Sequence, residues 1–383
     1  MPNSKALQLV AHFCASPVAL DQEYGGVSNV VTALACCTAQ DGLETLVVCG
    51  DSLLGHPIAT PGDHQISDHL RIVTVALKTS SATMMRTLSH LISRLPEGTV
   101  AHVHAGFSPF CDQAMRLLKK RGIPYIYSPH GKLSPGMLRN RWIIKIAYLH
   151  LIGIRLINAA SRIGIFSNGE SKLFNKLGIH PDIVEIPNGY QYPKDVSDWI
   201  KPKYSDYVLY LGYLDPRKQP ELLIRAFAVC RARAHAKLLL VGPDAYGEGQ
   251  RLRALTASLG LTDHVVFYGA AHGLKKWGIL ENARMLCLPS LAEGMPLVLV
   301  EALAAQTPSI FSVQSNGGLI SKYGAGIELD SFDPHVWADA IDRLFEDSAY
   351  WSRMKSQAKA AAPSLEWSAI SKAWAVEYLA VLP

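Results

Sequence analysis

The chain has 383 residues, 49% of them hydrophobic and 18% charged. Against the ~25% charge of an ordinary globular chain this excludes a disordered protein and suggests two or three domains with sizeable cores. The net charge of +5 is too small to indicate nucleic acid, no recognition motif accompanies it, and no apolar run approaches the ~20 residues of a membrane span.

Residues 7–13 predict a first strand; the run is too short and polar for a signal peptide. Val27, Val30, Val31, Leu34 and Ala35 then recur at helical spacing. Strands at 45–49, 71–76, 100–103, 124–128, 163–167 and 183–186 follow, with a helix over 109–121. The polar stretch 190–205, holding Pro193 and Pro202, reads as a linker. Beyond it, strands at 207–211, 237–241, 265–268, 285–288 and 309–312 alternate with helices, one opened by Pro220. The alternation in both halves predicts an α/β chain of two parallel-sheet domains. The seven cysteines are odd in number, form no C-x-x-C pair and mostly sit in apolar runs. That pattern fits core residues in a reducing compartment.

In a parallel sheet, ligands bind beyond the carboxyl ends of the strands. Glu23-Tyr24-Gly25-Gly26 follows the first strand and opens a helix, where backbone could approach an anion or simply turn. Pro129-His130-Gly131 follows 124–128 and places a His at a cleft or in an ordinary loop. Gly212 to Lys218 ends in two cations, Arg217 and Lys218, suited to phosphates or to solvent. The segment after 285–288 is the most specific: Glu293 lies in a loop, Pro296 suits a first helical turn, and Glu301 interrupts an apolar helical run. A carboxylate there is costly unless it is paired or hydrogen-bonded. Two such acids could each accept hydroxyl hydrogen bonds, one from a sugar and one from a ribose. There is no D-x-D, no G-x-x-x-x-G-K-[ST], no G-x-G-x-x-G after a strand and no G-x-S-x-G. P-loop, nicotinamide and serine-hydrolase chemistries lose their usual signatures.

Glu293, seven intervening residues and Glu301 resemble the E-x7-E signature of glycosyltransferase family 4 (group 1), which has the GT-B fold. Gly25-Gly26, His130-Gly131, Ile186-Pro187-Asn188-Gly189, Gly212 to Lys218 and Trp367 with Ile370 resemble its other motifs, in the same order. The resemblance implies two Rossmann-like parallel-sheet domains facing a central cleft. It implies an acceptor-side domain over 1–195, a nucleotide-sugar domain over 196–363, and a last helix in 364–383 packing back on the first. It further implies a retaining, metal-independent transferase moving a sugar from a UDP- or GDP-sugar to a saccharide or lipid-linked hydroxyl, with no cofactor. His130 and Glu293 would be catalytic. Gly25, Gly26, Arg217, Lys218, Gly294, Met295, Leu297, Val298 and Glu301 would bind the donor. Two residues depart from the pattern: Tyr213 replaces the usual phosphate-binding Arg, and Pro296 replaces a common Gly and removes a backbone donor. An epimerase or hydrolase on the same fold, or a non-catalytic nucleotide-sugar-binding protein, are the competing readings.

Residues 131–195 hold nine basic and four acidic residues, whereas 1–130 hold nine of each and 196–383 nineteen of each. The whole net charge therefore lies in one stretch. Within 131–166 there is no acid, and Lys132, Arg139, Arg141, Lys145, Arg155 and Arg162 accompany Trp142, Ile143, Ile144 and Leu151. This pattern suits a surface helix on an anionic membrane, or a buried helix with one solvated basic stripe. The expected location is cytoplasmic, peripheral on the inner face of the cytoplasmic membrane.

Overall fold

The apolar runs form the strands expected of them. The computed structural model describes residues 6–18, 25–53, 56–57, 59–77, 81–139, 142–193, 203–245 and 247–383. Glu23, Tyr24, Arg141 and the linker residues 194–202 lie outside the described residues. The chain divides into two units, Met1–Gly189 with Trp367–Pro383, and Tyr190–Glu366.

The first unit is built on an eight-stranded sheet. Its strands are β1 (Leu9–Cys14), β2 (Thr45–Gly50), β3 (Gly62–Ser67), β4 (Leu70–Val75), β5 (Thr99–His104), β6 (Tyr125–Ser128), β7 (Arg162–Ile165) and β8 (Ile183–Glu185). Their order is β8-β7-β6-β5-β1-β2-β4-β3. All neighbours are parallel except β3 and β4. The central strands are buried along nearly their whole length, as parallel strands covered on both faces must be. β3 was not expected. Its sequence GDHQIS is polar and largely exposed, so no apolar alternation marks it.

Helix α1 (Gly26–Gln40) buries Val30, Val31, Leu34 and Ala35, the face set by the spacing. Helix α2 (Pro109–Arg121) starts on a proline and ends on Lys119, Lys120 and Arg121, cations suited to a helix C-terminus. The basic stretch departs from a single helix. It runs as Pro135–Arg139, then α3 (Trp142–Tyr148), a π turn over Leu149–Gly153 and a last turn over Ile154–Ile157. The π turn shifts the angular register, so positions before and after it do not share one helical wheel. The last helix, Trp367–Ala380, returns to this first unit and packs against α1. It fits closely because residue 164 is Gly: a Cβ there would lie 2.3 Å from Cη2 of Trp374.

The second unit holds six parallel strands: β9 (Tyr207–Leu211), β10 (Lys237–Val241), β11 (Val265–Gly269), β12 (Met285–Leu288), β13 (Ser309–Ser312) and β14 (Gly326–Leu329). Their order is β11-β10-β9-β12-β13-β14. Helices α4 (Gly273–Glu281) and α5 (Leu297–Ala304) flank β12 in sequence, and Trp367–Ala380 is α6. Pro296 stands just outside α5, as its cap, and not in the first turn. In each sheet the strand order reverses beside the first strand of the unit, between β1 and β5 and between β9 and β12. Those switch points are where α/β sheets open a crevice for ligands.

Candidate active site

At the switch point of the second unit, two loops meet. One follows β9 and the other follows β12. The first loop leaves β9 through Gly212, whose carbonyl lies so near residue 242 that a Cβ there would come within 1.9 Å of it. Gly242 thus permits the close approach of the β9 and β10 loops. Asp215, buried, accepts from the Arg217 amide at 2.8 Å and caps the short turn Pro216–Lys218. The turn aims Lys218 at the second loop, and Lys218 Nζ donates to Glu293 Oε1 at 2.5 Å. Ser290 Oγ donates to the same oxygen at 3.0 Å. The Glu293 backbone is pinned too: its amide donates to Gln314 O and its carbonyl accepts from Asn316 Nδ2. The Leu291 amide bonds Arg217 O at 2.7 Å and ties the two loops together.

The structure therefore brings Lys218 and Glu293 together. It gives Arg217 a different role from Lys218. The Arg217 guanidinium grips Asp215 with Nε and Nη2, although its side chain is 53% exposed. Burial pushes the Asp215 carboxyl up, but these hydrogen bonds and charges outweigh it and hold it below the usual range. Gly294 is half-buried, Met295 is buried, and Leu297 and Val298 open α5. First-turn amides of a helix have no acceptor within it and carry a partial positive charge.

Glu301 is on α5 and is nearly buried. Sequence reasoning required a partner for it and did not find one; the partner is Lys276 of α4, whose Nζ lies 3.0 Å from Glu301 Oε1. Twenty-five residues separate the two, and no local spacing connects them. A groove of about 360 Å³ lies against the β9 and β10 loops and β11, lined by Leu214, Gly242, Asp244, Arg253 and Phe267 among others.

In the first unit, His130 lies just past the end of β6. It is half-buried, with its ring against Phe166 at 4.7 Å. Its backbone is left-handed, φ 50°, as are Ala105 (φ 65°) and Phe107 (φ 57°) after the neighbouring β5. Such conformations cost on the order of 1 kcal/mol each and gather at functional sites. Glu170 holds this turn. It is fully buried, and its two oxygens accept from the amides of Gly131 at 2.5 Å and Phe166 at 3.0 Å. Sequence reasoning missed Glu170, because a lone acid 39 residues from Gly131 carries no signal. Gly25 precedes α1 with φ 119°, and Gly26 is its exposed first residue.

Burial raises the Glu170 carboxyl to about 7, with the two amide bonds opposing the shift. Between pH 4.5 and 7 the unfolded chain gives up this proton while the folded chain keeps it. Stability therefore falls as pH rises across that window, by about 3 kcal/mol for this group. Glu170→Gln removes the titration but leaves one amide facing an NH2, at a cost of about 2 kcal/mol. Urea denaturation is expected to find the variant clearly less stable at pH 5 and much closer to wild type at pH 8. A difference that does not change with pH would contradict the titration.

Family models match both units: "Glycosyltransferase Family 4" over residues 24–191 and "Glycosyl transferases group 1" over residues 192–361. The chain belongs to the group 1, family 4 glycosyltransferases and has their GT-B architecture. A D-inositol 3-phosphate glycosyltransferase of Salinispora arenicola is 33% identical over 171 residues, which is 42% of this chain and 38% of that protein. One from Arthrobacter sp. is 21% identical over 368 residues, 90% of this chain and 87% of the relative. Anabaena HepE, solved in complex with UDP and glucose, superposes with a TM-score of 0.71 at 18% identity, over 96% of this chain and 98% of that one.

Proposed function

We propose that this enzyme is a retaining, metal-independent glycosyltransferase that moves a sugar from a UDP- or GDP-sugar to a hydroxyl of a saccharide or lipid-linked acceptor. The observation that carries the reading is the Lys218–Glu293 pair at the sheet's switch point, beside the first turn of α5. A nucleoside diphosphate leaves as an anion, and Lys218 with the amides of Leu297 and Val298 would stabilise it. Tyr213 brings no charge, and the Arg217 guanidinium is engaged by Asp215, so Lys218 carries the cationic role. Glu293 would accept hydrogen bonds from the sugar hydroxyls, and Glu301, steadied by Lys276, from the ribose. Gly25 and Gly26 would let backbone approach the donor, and Gly294 and Met295 would line its path. His130 would orient the sugar at the reacting carbon.

In the proposed reaction the bond from the anomeric carbon to the phosphate oxygen breaks, its electron pair leaving with the diphosphate. The acceptor oxygen attacks from the same face and its proton passes to the departing phosphate. The bound UDP and glucose of the Anabaena protein support a nucleotide-sugar donor for this chain as well. A panel of UDP- and GDP-sugars, assayed for nucleotide release with and without acceptor, tests this. Release that needs an acceptor supports transfer. Release without one favours a hydrolase, and donor binding without release favours a binding protein.

A second reading concerns where the enzyme works. Among the described residues no helix is long and apolar enough to cross a membrane. Yet Trp142, Ile143 and Ile144 on α3 are 60%, 65% and 68% exposed, and Leu151 on the π turn is 73% exposed. Arg116, Lys119, Lys120 and Arg155 surround a groove that Leu151 and Ile152 also line. Exposed apolar side chains beside a cluster of cations match the interface of an anionic bilayer. The proposed location is the inner, cytoplasmic face of the cytoplasmic membrane, with a lipid-linked acceptor. The protein is expected to float with phosphatidylglycerol-containing liposomes and not with purely zwitterionic ones; no flotation with either would count against it.

A further inference from the structure

His130 is the outer end of a row of three imidazoles that runs inward to the sheet. His130 Nε2 lies 3.0 Å from His104 Nδ1, and His104 Nε2 lies 3.0 Å from His12 Nδ1. His12 and His104 are fully buried, and the last nitrogen of the row, His12 Nε2, is a buried atom without a hydrogen-bond partner among the described residues. Strand register builds the row. β1 and β5 run in parallel with His12 opposite His102 and Cys14 opposite His104, so side chains two apart share one face. His102 stands beside the row and is satisfied elsewhere. Its nitrogens pair with Tyr378 OH at 2.9 Å and Ser128 Oγ at 2.8 Å.

A neutral imidazole has one N–H and one lone pair. Each of the two N···N contacts takes one proton, which leaves two consistent arrangements. In the first, all three rings carry the proton on Nδ1, every hydrogen bond points outward, and His12 Nε2 is a bare lone pair. In the second, all three carry it on Nε2, and His12 is left with a buried N–H that none of the described residues accepts. A stranded donor is the rarer and costlier kind of orphan. Burial also disfavours a charge on any of the rings, and it lowers His12 and His130 to about 3.

We propose that His12 and His104 are positioning residues that lock His130 as the uncharged Nδ1–H tautomer. The inference rests on the assignment of His130 to the reacting sugar. The second nitrogen of a functional imidazole commonly sets its tautomer through such a partner, and here the partner is itself held by a third ring. His130 then offers a neutral N–H to a sugar oxygen. Adding a proton to His130 would set an N–H against His104 Nδ1–H. Relief would require moving protons down the row and stranding one at His12 Nε2. The row thus keeps positive charge off His130, beside a carbon that itself becomes cationic. His12, His102 and His104 each have a ring nitrogen within 4.8 Å of the others, which is also a spacing for a metal ion. Both nitrogens of His102 and of His104 are already hydrogen-bonded, so an ion there would have to break the row.

Long-range proton–nitrogen NMR spectra of the full chain, labelled with 15N-histidine and recorded without donor or acceptor, test the proposal. The expected result at pH 6 is His12, His104 and His130 all neutral and protonated on Nδ1. In His12→Leu, which removes the innermost donor, the His130 signals are expected to shift toward a mixture of tautomers. His12→Gln, whose amide can donate to His104 Nε2, is expected to restore the wild-type pattern. A wild-type His130 protonated on Nε2 would overturn the proposal. So would a folded His12→Leu variant with unchanged His130 signals, or one tightly bound zinc per purified chain. The wild-type spectrum decides even if the variants do not fold. The expected tautomers in a protein with no nucleotide-sugar activity would overturn the proposed function and leave the row standing.

Discussion

Alanine at Glu293 or at Lys218 is expected to lower sugar transfer by about a hundredfold or more, with the loss falling mainly on turnover. Lys218 Nζ and Glu293 Oε1 stand 2.5 Å apart, on loops that are tied through Leu291 and Arg217. Negative charge on the diphosphate grows as its bond to the sugar opens. An ammonium fixed beside it therefore gains more in the transition state than in the bound donor. In the proposed reaction Glu293 acts on the sugar side, and its removal also frees Lys218 from the geometry the pair imposes. Because each residue positions the other, the double variant should lose less than the product of the single losses. Arg217→Ala provides the contrast. That guanidinium is gripped by Asp215, so a much smaller loss is expected. The side chains of the pair are 21% and 19% exposed, somewhat more than those of Lys276 and Glu301, so each alanine variant is expected to cost on the order of 1–2 kcal/mol of stability, too little to unfold the protein in the assay. Steady-state rates at saturating donor check all of this. Near-normal turnover in both variants would remove the site assignment.

What the sequence carried and what it did not follow from the range of each signal. Residues 207–211, 237–241, 285–288 and 309–312 are short apolar runs between turns, and the strands have the same bounds. Glu293 and Glu301 were visible because a loop acid and a helix acid sit at a fixed spacing in an apolar setting. The edge strand β3 was not visible, because its polar side chains face solvent. Lys276, Glu170, His12 and His104 were invisible for a different reason. Each meets its partner only through strand register or helix packing, at separations of 25, 39 and 92 residues for Lys276–Glu301, Glu170–Gly131 and His12–His104. The basic stretch was legible as composition and misleading as geometry, since the π turn at Leu149–Gly153 divides it.

Lys276→Met is expected to destabilise the second unit by about 3 kcal/mol, one of the larger losses a single side chain can cause here. Glu301 is a carboxylate on an otherwise apolar helix, nearly closed off from water, and the Lys276 ammonium is 3.0 Å from it. Removing the cation leaves a desolvated anion with less to offset it. Glu301→Gln leaves the complementary cation, and it too should lower the melting temperature. The pair as a whole is worth much less than either half, because both desolvation costs vanish together. The double variant Lys276→Met, Glu301→Gln should therefore recover most of the stability lost by Lys276→Met alone. Thermal melts of the four proteins measure this coupling. Binding separates the structural role from the functional one. If Glu301 accepts a ribose hydroxyl, the stable double variant still binds donor more weakly, because an amide replaces a charged acceptor. If Glu301 serves only to pair with Lys276, the double variant binds donor as the wild type does. A double variant no more stable than Lys276→Met would show that the two charges do not compensate one another, and that Glu301 draws its stability from elsewhere on α5.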